Sequence, residues 1–286
     1  MFPNFISFAM RKYSKLGVLF LTLFFWSCSD NVVVYSPIEV DESIAAEPIQ
    51  GFFKKQVLIE DYTGTWCGNC ARVAYAIEKT KEESDKVVSV AIHHGNDPYS
   101  FVGIGPLKNL ISPNSALALP QSRLNRITTW TFPEFNNVQQ ALNLTSNNSG
   151  LGLALTSEVT NGNIDLDVKV KFAQNYSNLK LVVYVLEDKL IHRQVNYSTF
   201  YGAVNPIPNF EHNHVLRASL TNLLGDPLLN TNYNQTVTTN FTVPIPTNVS
   251  NPENINFVAF VVEDNNNVLN VRAADKNENQ DFQENK

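Results

Sequence analysis

The chain has 286 residues, enough for about two domains. Hydrophobic residues make up 43% and charged residues 17%, a globular composition that excludes an extended disordered chain. The net charge is −6 and no basic cluster lies beyond the extreme N-terminus, which excludes a nucleic-acid partner.

Residues 1–28 read as an export signal. Arg11, Lys12 and Lys15 form a positive head, and Leu16 to Trp26 is an apolar run too short to span a bilayer comfortably. Met10 offers an alternative start. The run closes on Phe25-Trp26-Ser27-Cys28, which resembles a bacterial lipobox. That resemblance implies cleavage before Cys28 and palmitate-type acylation of it; the alternative is a secretory signal with an incidental cysteine. Ser29-Asp30-Asn31 resembles the acidic export tag of Bacteroidetes-type surface lipoproteins. Cleavage removes three basic residues and no acidic one, taking the charge from −6 to −9. Attachment to an anionic membrane then rests on the lipid. Residues 29–50 contain Pro37 and Pro48 with little periodicity and read as a tether.

Residues 51–146 read as an α/β domain. In the strand Gln56–Tyr62, Val57, Ile59 and Asp61 share one face, and Leu58, Glu60 and Tyr62 the other. Gly64 permits a turn. A helix is expected from about Cys67 to Glu82, with Cys70, Val73, Ala74 and Ile77 on one stripe. Two thiols at that spacing can close a small disulfide, and the first sits where the helix dipole favours a thiolate. Zinc is the competing use of Cys-x-x-Cys, but a structural site usually needs four ligands. Lys86 to Ile92 reads as a buried parallel strand reached by a right-handed crossover. His93 and His94 end that strand at the sheet edge where ligands bind. One of them beside the thiols would raise the thiolate fraction; the plainer expectation is partly exposed loop histidines. A short helix is expected around Leu107–Ile111 and a last one over residues 134–143.

Trp66-Cys67-Gly68-Asn69-Cys70 resembles the active site of thioredoxin-fold disulfide oxidoreductases, with Asn69 where those usually carry proline. The resemblance implies that Cys67 attacks, Cys70 resolves and Trp66 walls the site. It implies that Asp61, six residues before Cys67, is the buried carboxylate that exchanges a proton with Cys70, with Glu60 next door as a competitor. It also implies a cis bond at Leu119-Pro120 opening the next strand, where Leu119 offers its backbone to an extended substrate. Pro106, Pro113 and Pro133 are weaker candidates.

Ser146 to Gly150 is a turn-rich break. Residues 150–275 then alternate at strand period, as in Ile164, Leu166, Val168, Val170 and Phe172, and read as an antiparallel β-sandwich. Glu211, His212 and His214 could form a metal corner if the two histidines share a strand face, but no third ligand partners them there; the alternative is a hydrogen-bonded pair. The tail 276–286 is polar and expected to fray.

The order of lipobox, tether, CGNC site, Pro120 with Asn125-Arg126, and a β-domain carrying His212 to Arg217 resembles the twenty-eight-kilodalton outer-membrane-protein family of Bacteroidetes-type lipoproteins. This implies a thioredoxin-like N-terminal domain followed by an immunoglobulin-like antiparallel β-sandwich. It also implies a lipid anchor in the outer membrane, facing the exterior or alternatively the periplasm. Two functions stand side by side: thiol–disulfide exchange on exported proteins, or a binding, adhesion or transporter-accessory module whose disulfide is a staple. Neither calls for a cofactor.

Overall fold

The computed structural model describes residues 51–285. The export signal, Cys28 and the tether lie outside the described residues. Along the first half run β1 (Phe52–Phe53), β2 (Val57–Thr63), α1 (Ala71–Glu83), β3 (Val87–His93), α2 (Gly105–Ile111), β4 (Gln121–Leu124), β5 (Thr128–Thr129) and α3 (Val138–Leu142). The second half holds β6 (Leu151–Thr160), β7 (Asn163–Phe172), β8 (Lys180–Glu187), β9 (Leu190–Gln194), β10 (Ile207–His212), β11 (Val215–Ser219), β12 (Asp226–Pro227), β13 (Thr236–Pro244), β14 (Ile255–Val262), β15 (Val268–Asp275) and β16 (Glu284–Asn285). The described molecule is therefore β-rich with few helices.

β2 and β3 pair in parallel from Val57 opposite Val87 to Thr63 opposite His93, with α1 as their crossover. β2 is buried at every position, and its two faces enter two cores as the alternation predicts. Val57 and Ile59 pack with Ala76 of α1, Leu124, Trp130 and Ala141. Leu58 and Tyr62 pack instead with Leu107 of α2, Phe101, and Tyr184, Leu186 and Phe260 from the second half. β4 lies antiparallel on the other side of β2, placing Gln121 opposite Tyr62.

In the second half, β13, β7 and β6 form one sheet. It packs against β8 and β14 through Leu155, Leu166, Val168, Phe241, Val183, Phe257 and Ala259. The predicted antiparallel strands are present, since β6 with β7, β7 with β13, β8 with β14 and β14 with β15 are all antiparallel. β8 and β14 are buried on both faces, because their opposite faces complete the core beneath β2 and β3.

The Ser146–Gly150 break is not a seam in the hydrogen bonding. The larger sheet runs β15-β14-β8-β11-β3-β2-β4-β5, joined where Val215 of β11 meets Ala91 of β3 in parallel. A buried ion pair reinforces the junction. Arg126 Nη2 donates to Glu60 Oε1 on β2 (3.1 Å) and to the Tyr184 hydroxyl on β8 (2.7 Å), and the guanidinium lies 4.7 Å from the Phe260 ring centroid.

Three expectations are corrected. In place of one helix over residues 134–143, two 3-10 turns, Glu134–Asn136 and Asn143–Thr145, flank the short α3, because Asn137, at φ −119°, breaks the helical path. α1 begins at Ala71 rather than Cys67; Cys70 is its N-cap, and Cys67 sits in the turn before it. The described tail, through Asn285, is paired rather than frayed. β16 pairs with β1, Gln280 N donates to Leu155 O (2.9 Å), and the Phe282 ring lies 5.9 Å from that of Phe53. Its order comes from backbone bonds and side-chain amides, which leave no trace in hydropathy.

Candidate functional site

The carboxyl ends of β2 and β3 carry the chemistry-bearing residues. Cys67 and Cys70 form a disulfide, with Cα atoms 5.4 Å apart. The turn that holds them is hydrogen-bonded to itself: Cys67 N donates to Gly64 O (3.0 Å) and Cys70 N to Cys67 O (3.1 Å). Arg72 bridges to Glu134 at 2.9 Å, fixing the first turn of α1 to the residues after Pro133. Trp66 is 48% exposed, and its indole N–H donates to His94 O (3.0 Å), so it forms a rim beside the disulfide.

Asp97 anchors the turn, and sequence reasoning missed it. Its Oδ2 accepts from Thr65 N (2.5 Å), and its Oδ1 accepts from Tyr99 N (2.8 Å) and pairs with His93 Nδ1 (3.0 Å). Burial pushes this carboxyl up, but the His93 contact and the two amides outweigh it and hold it down at about 2. The visible hint was an Asn96-Asp97-Pro98 turn just after a strand. His93 is accordingly buried, at 1% exposure, which corrects the expectation of a partly exposed loop histidine. His94, half-buried, fits that expectation better.

Asp61 is buried and faces the disulfide side of β2, while Glu60 points the other way into its pair with Arg126. Strand parity thus sets the two carboxylates on opposite faces of β2, with Asp61 on the side of Cys70. Burial raises the Asp61 carboxyl well above the usual carboxylate range; the nearby Glu134 charge adds to this and Arg72 opposes it. Asp61 therefore holds its proton far more readily than an exposed aspartate.

Asp61 lines a cavity of about 130 Å³ together with Cys70, Ala74, Ile77, Ser89, His93, Gln194, Phe210 and His212. The Cys70, Ala74 and Ile77 stripe faces this cavity, whereas the fully buried stripe of α1 is Ala71, Val73, Ala76 and Thr80. Three of its lining residues, Asp61, Ser89 and His212, carry a buried polar atom without a hydrogen-bond partner among the described residues. Burial, with the neighbouring His93 adding to it, holds His212 down at about 3, so its imidazole is neutral.

The metal corner is not assembled. β10 ends at His212, and His214 turns to φ +56°, so the two rings do not share a strand face. His212 meets the Phe210, Tyr99 and His93 rings, His214 pairs with Asp188 (3.1 Å), and Glu211 accepts from Asn213. Among the described residues no group of His, Cys, Asp or Glu is arranged to hold a metal ion.

Leu119-Pro120 is a cis bond, as are Phe132-Pro133 and Asn205-Pro206. Because Gln121 faces Tyr62, Pro120 comes level with the end of β2, where the CGNC turn departs. Leu119 is half-buried and packs on the second core.

A segment no motif announced covers this site. After β9, Val195 N donates to Thr65 O (2.9 Å) and Tyr197 N to Gly68 O (2.7 Å). Gln194 Nε2 donates to Cys67 O (3.0 Å). A Cβ on Gly68 would come within 2.3 Å of the Tyr197 ring, so only glycine allows that approach. Under this cover Cys67 is 5% exposed and Cys70 1%.

The family described as outer membrane protein Omp28 matches residues 109–280, more than half of the chain. The chain belongs to the Omp28 family. That membership places it among outer-membrane proteins; no helix of the described residues is long and apolar enough to cross a membrane. The Omp28 match begins after the CGNC turn and spans β4 to β15, leaving out β2 and β3. The structure is also similar to that of HBP35 of Porphyromonas gingivalis, with a TM-score of 0.60 at 18% identity over 81% of this chain and 78% of that one. That likeness concerns the fold alone. No curated protein matches the sequence.

Proposed function

We propose that this Omp28-family chain is a lipid-anchored outer-membrane protein in which a thioredoxin-like unit, joined to an immunoglobulin-like sandwich, exchanges thiols and disulfides through Cys67 and Cys70. The observation that carries the reading is the closed Cys67–Cys70 pair at a strand–helix junction, above a buried Asp61 and level with Pro120. From the oxidised form, a substrate thiolate attacks Cys67 Sγ and breaks the Cys67–Cys70 bond. Cys70 leaves as a thiolate and takes the proton that burial keeps on Asp61. A second substrate thiolate then attacks the mixed disulfide, releasing Cys67 as thiolate. The substrate dithiol has lost two electrons and the protein disulfide has gained them; the reverse sequence reduces a substrate disulfide. Outside the cytoplasm the oxidising direction matches the redox compartment. Cys28 supplies the anchor in this reading.

The test is the reduction potential of the pair together with turnover of a dithiol substrate. A potential above about −300 mV, with turnover lost in Cys67→Ser, is the expected result. A second reading has one observation in its favour, the burial of both sulfurs. If the potential falls below about −300 mV and no turnover occurs, the disulfide is a staple and the molecule a binding module.

A further inference from the structure

The cover over the disulfide is the stretch that leaves β9 and runs without regular structure to a bend at Ser198 and Thr199. Val195 and Tyr197 are two residues apart, so both amides point to one edge, as in a strand added to a sheet. They meet Thr65 O and Gly68 O, the carbonyls that flank Trp66 and Cys67. The Gln194 side chain adds a bond to Cys67 O, and the Tyr197 ring lies on Gly68. The CGNC turn therefore presents a row of backbone acceptors and a flat glycine surface, and a segment of the second half fills both.

That segment is held by hydrogen bonds of its buried Gln194 and Asn196 rather than by apolar side chains sunk into a core. Asn196 Nδ2 donates to Phe200 O (3.0 Å) and Val204 O (3.2 Å), closing the loop on itself. Its grip on α1 is a stacked Phe200–Tyr75 pair, with centroids 4.0 Å apart, and a Tyr201 hydroxyl bond to Glu78 (2.9 Å). Tyr197 remains 70% exposed. Tyr201 and Ala203 both sit at positive φ, +55° and +54°, a region unfavourable for residues with a Cβ. With Tyr197 exposed, no fully buried apolar side chain and Tyr201 at positive φ, the segment has marks of the low-stability end of a fold.

We propose that residues 194–201 form a strap occupying a peptide-docking edge at Thr65 to Gly68, and that the partner for this edge is an extended polypeptide that displaces the strap. This rests on the exchange reading only for the chemistry that follows docking. The strap makes the same two backbone bonds the incoming segment would make, so occupancy is exclusive. A partner with an aromatic residue two positions after its first paired amide reproduces the Tyr197–Gly68 contact.

The experiment is single-pass reduction of Cys67–Cys70 by a small phosphine, in the wild-type chain and in Tyr197→Ala and Phe200→Ala. Amide hydrogen exchange is followed at Val195 and Tyr197, with β8 and β14 as the folded control. Both variants are expected to lose protection at the two strap amides, keep it in β8 and β14, and be reduced about tenfold faster. Unchanged rates in variants whose strap amides have become unprotected would overturn the proposal. In Cys70→Ser, an extended cysteine peptide joined to Cys67 should expose the Val195 and Tyr197 amides; if they stay protected, the edge is not the docking site. Neither readout needs turnover. A molecule that opens its strap but never turns over sinks the exchange reading alone, and turnover indifferent to the strap sinks this one alone.

Discussion

At the scale of single residues, Asp61 has the sharpest consequence. Its folded carboxyl titrates above its unfolded value because burial disfavours the charge. Its contribution to stability is therefore fully present below pH ~4, the unfolded value, and is lost as pH rises through the folded value. Asp61→Asn removes the titration. The variant should be more stable than the wild type at pH 7 by ~1–3 kcal/mol, the range for a buried group left unpaired, and the gain should vanish near pH 4. Denaturant melts at the two pH values check this. In the proposed mechanism the same substitution removes the proton donor to Cys70, so stability should rise while exchange slows.

Elements show where sequence reading succeeds and where it stops. β2 was legible because every residue obeys period two, and the parity that put Asp61 rather than Glu60 under the disulfide holds. β7 and β13 were legible for the same reason, and β3 and β14 were legible as continuous apolar runs, the pattern of strands buried on both faces. The start of α1 was not, since Gly68 and Asn69 carry no apolar signal to mark where turn becomes helix. The strap was invisible: its bonds to Thr65, Cys67 and Gly68 span about 130 residues of sequence and use backbone and amide groups without pattern. The tail failed the test of polarity for the same reason. Truncation after Asp275 strips the Gln280 and β16 pairings and uncovers the side of Phe53 that Phe282 meets. It should lower stability by roughly 2–4 kcal/mol from several lost hydrogen bonds and one ring contact, read as a drop in the urea midpoint.

For the whole molecule, the continuous sheet makes the two halves energetically one. Arg126 lies in a turn of the first half, yet its partners are Glu60, Tyr184 and Phe260. Arg126→Met leaves Glu60 as an uncompensated buried charge and should cost about 3–5 kcal/mol. Arg126→Met with Glu60→Gln should recover much of that, since removing both charges also removes the penalty of burying them. Calorimetry should show both variants unfolding in one transition, because the core beneath β2 is shared with β8 and β14.

β1 closes against β16 at the amino end of β2, while the CGNC turn leaves its carboxyl end. Seven residues of extended strand separate them, roughly 23 Å at 3.3 Å per residue. Whatever chain leads into residue 51 thus enters at one pole, beside the last strand, and the sulfurs lie toward the other. If the proposed anchor acts through that chain, it holds the molecule at the pole remote from the CGNC turn, so Cys67 and Cys70 lie on the side away from the attachment.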